Sequence, residues 1–159
     1  MEAVHEGLAP HLTVSNAAAA IDFYKKAFNA VEVARHLAPD GKRVMHARLD
    51  LFNSVLMLND DFPEYNNGKA NTPEALGGSP ITLHLQVNDA RKVWDEALAA
   101  GGTVAMPLQE QFWGDLYGLF VDPFGHKWSV GQQVKTMSSE ELKEGAKAAF
   151  GKFEEVVKK

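Results

Sequence analysis

Two histidines open two near-copies of one hexapeptide, His11-Leu-Thr-Val-Ser-Asn and His84-Leu-Gln-Val-Asn-Asp, 73 residues apart. Imidazole is the side chain that exchanges protons near neutral pH, titrating at ~6.5, and it is the commonest nitrogen ligand for metal ions. Each hexapeptide reads as a short strand, in which residues two apart share a face. Ala9, His11 and Thr13 therefore point together, as do Thr82, His84 and Gln86. The complementary set, Leu12, Val14, Leu83, Leu85 and Val87, is apolar and belongs beneath helices; a one-residue slip would bury His and Thr there instead. Three roles are open to this imidazole pair. It can contact and exchange protons with a ligand, it can be structural, or with a carboxylate such as Glu110 it can form a Lewis-acid or Fe(II) site.

Further polar groups could join such a site. His46, Arg48 and Asp50 alternate with Ala47, Leu49 and Leu51, with Val44 expected on the histidine face and Met45 on the apolar one. If the polar face lines a cavity, Arg48 could anchor a carboxylate or phosphate through its planar fork; if not, the three form a solvated face. Trp113 follows Gln109-Glu-Gln and precedes Gly114, a loop setting from which an aromatic could stack on a flat ligand. Asp115 and Tyr117 share that segment, whereas Trp128 reads as core. Phe62 and Tyr65 lie in a long irregular stretch and could cover a cavity as a lid. Ser129 is expected to lack a base, because His126 alternates onto the opposite face. No phosphate loop, nucleophile elbow or HExxH occurs, and there is no cysteine.

The elements that position these groups repeat as well. Past the hexapeptides, Ala17 matches Ala90, Ala20 matches Val93, Val31 matches Val104 and Val33 matches Met106. Ser15-Asn16 and Asp89 can cap helices over about 17–28 and 90–100, ended by Asn29-Ala30 and Gly101-Gly102. Strands are expected over 31–37, 43–51 and 54–59, then over 103–106, a segment leading to 121, and 127–131. The result is two βαβββ modules, about 8–59 and 80–133, joined by a loop at 60–79 within one domain of residues 1–135. Residues 136–159 form a separate amphipathic helix, opened by the capping box Ser138-Ser-Glu-Glu141 and striped by Leu142, Ala146, Ala149, Phe150, Phe153, Val156 and Val157. That stripe reads as a docking face.

Composition narrows the function classes. The net charge of −5, without a Lys/Arg cluster, argues against a nucleic-acid partner. Absence of cysteine removes disulfide, thiol and zinc-ribbon chemistry. Met1-Glu-Ala-Val-His-Glu-Gly carries no apolar stretch, so no signal peptide is expected, and no run suits a membrane span. A cytoplasmic protein with no membrane partner is the expectation.

With Phe120-Val-Asp-Pro-Phe-Gly-His-Lys-Trp near the end of the second module, this pattern resembles the vicinal oxygen chelate superfamily. Glyoxalase I, fosfomycin- and bleomycin-resistance proteins and extradiol dioxygenases belong to that group. Its PhnB-like branch is marked by His46-Ala-Arg-Leu-Asp-Leu-Phe-Asn-Ser-Val-Leu-Met-Leu, Asp61-Phe-Pro-Glu-Tyr, Leu76-Gly-Gly-Ser-Pro and the stretch from Trp113 to Trp128. The resemblance implies an α+β fold, two βαβββ modules making an open sheet or half-barrel around a cavity. It also implies a homodimer. Metal-using relatives take ligands from the first and last strands of each module, which here carries over to Ala9, Thr82, Met57 and Ser129. These offer a divalent cation no strong donor set. The expectation is thus a small-molecule-binding protein without cofactor, like the bleomycin-resistance type. The expected ligand contacts are His11, Thr13, His46, Arg48, Met57, Thr82, His84, Gln86, Trp113 and Ser129. The alternative is a lyase, isomerase or dioxygenase holding one divalent metal ion on His11, His84 and Glu110.

Overall fold

Asn16 and Asp89, at matching points of the repeat, each turn a side-chain oxygen back onto the helix that follows. Asn16 accepts from the amide of Ala19 at 3.0 Å and Asp89 from that of Lys92 at 3.1 Å. Both bonds satisfy donors that a helix start leaves orphaned. The helices so started are α1, Ala17–Phe28, and α3, Ala90–Ala100. Asn29 ends α1 in the left-handed conformation and Gly101 ends α3. The structure, a computed structural model, describes residues 6–157; the first five residues of the N-terminal segment considered above lie outside the described residues.

Around the helices run two four-stranded sheets. Sheet A holds β1 (His11–Val14), β2 (Val31–Leu37), β3 (Val44–Leu51) and β4 (Ser54–Asp60) in the order β1-β4-β3-β2. Sheet B holds β5 (Thr82–Gln86), β6 (Thr103–Glu110), β7 (Asp115–Val121) and β8 (Lys127–Gln133) in the order β5-β8-β7-β6. In each, the first strand pairs parallel with the last and the other pairs are antiparallel. The fold is therefore the expected α+β pair of βαβββ modules, followed by a C-terminal helix, α4, at Ser139–Val157. Its capping box closes in both directions: Ser138 N donates to Glu141 Oε2 at 2.8 Å and Glu141 N to Ser138 Oγ at 3.2 Å.

Three details depart from the sequence reading. Val44 is fully buried and Met45 is 55% exposed, the reverse of the faces expected for them. A register shift between His36 and Leu37 leaves Met45 unpaired and swaps the pleat ahead of it. Strand β6 runs on to Glu110 rather than ending at Met106; Pro107 is accommodated because β6 is an edge strand, with a register shift beside it. Strand β8 likewise continues to Gln133.

Both helices and one face of each sheet meet in a single core, including Leu12, Val14, Ile21, Leu58, Trp94 and Val130. Its polar centre is Asp122, only 4% exposed. Asp122 Oδ2 accepts from the Tyr24 hydroxyl at 2.6 Å and from Trp128 Nε1 at 2.9 Å, while Oδ1 accepts from the amides of Phe124 and His126. Tyr24 comes from the first module and Asp122 from the second, so this carboxylate ties the two together. Burial, reinforced by the neighbouring Asp122 charge, pushes the Tyr24 phenol well above its ordinary range.

The stretch between modules is more ordered than its breaker residues suggest. It contains a 3-10 turn at Pro63–Tyr65 and a short helix, α2, at Pro73–Leu76, capped by Thr72. Arg43 fastens one end, with Asp40 and Glu64 each at 2.7 Å and the Phe62 ring centre 4.4 Å from its guanidinium. The other end abuts the Asp122-Pro-Phe-Gly turn: a Cβ at Gly125 would lie 2.7 Å from Pro73.

Candidate ligand site on the open sheet faces

Because each sheet gives one face to the shared core, its other face turns outward. Register shows which side chains that second face carries. On sheet A, His11 lies opposite Met57, Met57 opposite Arg48, and Thr13 opposite Asn59. Arg48 pairs with Ala34 and His46 with His36, so the His46–His36 pair lies one row along the strands from the His11–Met57–Arg48 row. Ring centres are 5.9 Å apart for His11 and His46, and 6.1 Å for His36 and His46. Arg48 Nε donates to Asp50 Oδ1 at 3.1 Å. His46, Arg48 and Asp50 therefore share the outward face of sheet A with His11, and His36 joins them there. The sequence signal for His36 is the alternation of β2, which sets Ala34 and His36 on one face.

On sheet B the arrangement is tighter. The parallel register sets His84 directly opposite Ser129 and Gln86 opposite Gly131. His84 Nδ1 lies 2.8 Å from Ser129 Oγ, and Nε2 lies 2.9 Å from Gln86 Oε1. A carbonyl oxygen can only accept, so Nε2 carries a proton, and in the neutral ring Nδ1 then accepts from the serine hydroxyl. Ser129 is 1% exposed and thus holds the ring from beneath. Contrary to the expectation from the sequence, Ser129 has a base in reach: the imidazole comes from the neighbouring strand and not from His126. His126 Nε2 instead reaches the backbone carbonyl of Thr13 at 3.0 Å.

Gly131 makes room for this arrangement. A Cβ there would fall 2.8 Å from both Gln86 Oε1 and His84 Cε1. Above the ring, Tyr117 runs near-parallel to His84 with centres 5.9 Å apart, Trp113 meets Tyr117 edge-on at 5.7 Å, and Phe112 meets Trp113 at 5.1 Å. Thr82 lies opposite Lys127 at the start of the same face. Sheet B therefore presents an imidazole, an amide and an aromatic row.

The remaining candidates divide as follows. Glu110 pairs with Leu116, which is buried on the core face, so the strand period turns Glu110 away from the face that His84 occupies. Among the described residues no three His, Asp or Glu side chains come together as a metal ion would require. The positions used by metal-dependent relatives do not fit a cation either: Ala9 has no donor, Met57 offers a thioether, and the Ser129 hydroxyl is committed to His84. Phe62 sits under Arg43, at the start of β3, while Tyr65 is 88% exposed.

Known proteins agree with this fold. A family model described as the Glyoxalase/Bleomycin resistance protein/Dioxygenase superfamily matches residues 7–130. The chain is 50% identical over 139 residues to the uncharacterized protein Mb0911c of Mycobacterium bovis, covering 87% of this chain and 91% of that one. Protein PA1353 from Pseudomonas aeruginosa superposes with a TM-score of 0.64 at 27% identity, over 81% of this chain and 98% of its own. A PhnB protein from Bacillus cereus shares the fold with a TM-score of 0.61 at 19% identity, over 80% and 99% of the two chains. The repeat, the sheet order and these matches lead to one assignment: the chain belongs to the glyoxalase/bleomycin resistance protein/dioxygenase superfamily, with PhnB-like proteins among its structural neighbours.

Proposed function

We propose that the protein binds a small organic molecule on the His84 face of sheet B, and that it does so without the metal ion of its metal-dependent relatives. The observation that carries this reading is the doubly held imidazole. His84 has one ring nitrogen on Ser129 and the other on Gln86. It is thereby oriented for contact, with both ring nitrogens engaged by neighbouring side chains. A flat ligand would lie against the Tyr117 and Trp113 rings, taking about 0.5–1.5 kcal/mol per aromatic pair beyond simple burial. Gln86 and Thr82 would supply polar contacts beside it.

A homodimer in the cytoplasm completes the reading. Supporting the dimer, the outward faces expose Val31, opposite Asp50, and Met106, in line with Leu119 and Ser129, beside their polar groups, and a second copy would cover them. His11, Thr13, His46, Arg48 and Met57 on sheet A would then form the opposite wall of a shared cavity.

Native mass spectrometry of protein purified without added ligand, paired with elemental analysis, tests the proposal. The expected result is a dimer carrying organic mass that Trp113→Ala loses, with metal well below one ion per chain. One tightly held ion per chain, removed by His84→Ala or His11→Ala, would overturn it in favour of the metal-dependent lyase, isomerase or dioxygenase.

A further inference from the structure

A cleft of about 380 Å³ opens at the seam of the two modules, away from the aromatic row of sheet B. That volume lies within the range of small-ligand sites. Its walls come from the end of α1, the β3–β4 hairpin and the start of α3, so neither module could form it alone. Its apolar lining is Phe52 over the buried Phe28 and Val93; the Phe28 and Phe52 ring centres are 6.3 Å apart. Its polar lining is Lys92 and Glu96 on α3, the N-cap Asp89, and the amides of Asn29 and Asn53. Lys92 and Glu96 take part in no ion pair among the described residues.

The backbone gives an independent sign. Four non-glycine described residues adopt positive φ, and three of them, Asn29, Phe52 and Asn53, line this cleft. Asn29 is an ordinary left-handed helix cap. Phe52 is not ordinary. It is the first of two loop residues between Leu51 and Ser54, where positive φ favours Asn, Asp or Gly. At φ +45° a phenylalanine holds a strained conformation, and strain of this kind persists at functional sites. Phe52 is still 41% exposed, so packing in the free protein covers only part of the residue.

We infer that the cleft is a second binding site, for a zwitterionic α-amino acid with an apolar side chain. The side chain would lie on the exposed part of Phe52, which rests on the buried Phe28. The ammonium group would face the Asp89 and Glu96 carboxylates, and the carboxylate would face Lys92. Only Gln86 borders both this cleft and the His84 site, so the inference stands apart from the function proposed above.

Titration of ¹⁵N-labelled full-length protein with L-phenylalanine tests it, with glycine, phenylacetate and phenethylamine as controls. The expected result is saturable shifts at Phe52, Lys92 and Val93 with a dissociation constant of about 1 mM or tighter. Each control lacks one of the three recognised groups and should bind at least fivefold more weakly. Lys92→Ala should weaken L-phenylalanine at least fivefold. Phe52→Gly should abolish binding while melting at the same or a higher temperature, because glycine relieves the strain. Shifts confined to His84 and Tyr117, no saturation, or controls binding equally would overturn the inference. So would a Phe52→Gly protein that melts several degrees lower, since the ring would then be a packing residue.

Discussion

At the scale of single residues, His84 is the group whose chemistry the surroundings fix most closely. With Gln86 Oε1 accepting at one nitrogen and the Ser129 hydroxyl donating to the other, the neutral ring has one tautomer that satisfies both partners. Nitrogen-detected NMR of histidine-labelled protein at mildly alkaline pH should find His84 protonated at Nε2. Ser129→Ala should release Nδ1 and give a tautomer mixture, and Gly131→Ala should displace the ring by steric contact. A wild-type signal protonated at Nδ1 would refute the arrangement. A second residue-level consequence concerns Tyr24. Its folded-state phenol titrates above the unfolded value near ~10. Stability from this group is therefore whole below about pH 10 and declines as pH rises from there toward the folded value. Chemical unfolding across alkaline pH should show that decline, and Tyr24→Phe should remove Tyr24's share of it. The same substitution should cost about 2 kcal/mol at neutral pH, the range for a hydrogen bond to a charged group.

Among elements, the repeat was legible because it is written in local chemistry, whereas the links between strands were not. Caps at Asn16 and Asp89 are legible because a helix start is specified by its own few residues. The outward face of His11 and His84 followed from the period of two. Opposite neighbours did not: nothing in Thr82–Gln86 states that Ser129 lies across from His84, because register is set by the whole sheet. The Met45 bulge escaped for a similar reason, as an unpaired residue leaves no mark in a strand's composition. A pair of side-chain clamps was also invisible. At the end of β4, Asp60 accepts from Ala17 N at 2.8 Å and Val44 N at 2.6 Å, while at the end of β8 Gln132 accepts from Ala90 N at 2.9 Å. Each fastens the last strand of a module to the start of its helix. Asp60 is 8% exposed and serves two buried donors, so Asp60→Ala should cost about 2–4 kcal/mol, and Gln132→Ala about 1 kcal/mol. Urea unfolding monitored by tryptophan fluorescence would measure both; equal losses would show that the two clamps are energetically alike.

The whole molecule poses a covering problem that its own residues leave unfinished. Two sheets share one core and present their second faces outward, and α4 adds a further apolar surface, with Phe150 69% and Phe153 66% exposed. A helix of 19 residues containing two glycines, each worth about 1 kcal/mol against helix formation, gains most of its stability from packing. Within the chain, that packing is visible at Gly145, where a Cβ would come 2.9 Å from Phe112. Phe112 in turn touches Trp113, so the helix is seated beside the aromatic row of sheet B. If a second copy covers the outward faces, the stripe beyond Gly145 is positioned to join the same interface. Removing everything after Gln133 should then convert the dimer to monomer in light scattering and lower the affinity of the sheet B face for its ligand. A truncated chain that stays dimeric would assign assembly to the sheets alone. A full-length chain that is monomeric at high concentration would leave both faces open to solvent, and the shared-cavity reading would fail with it.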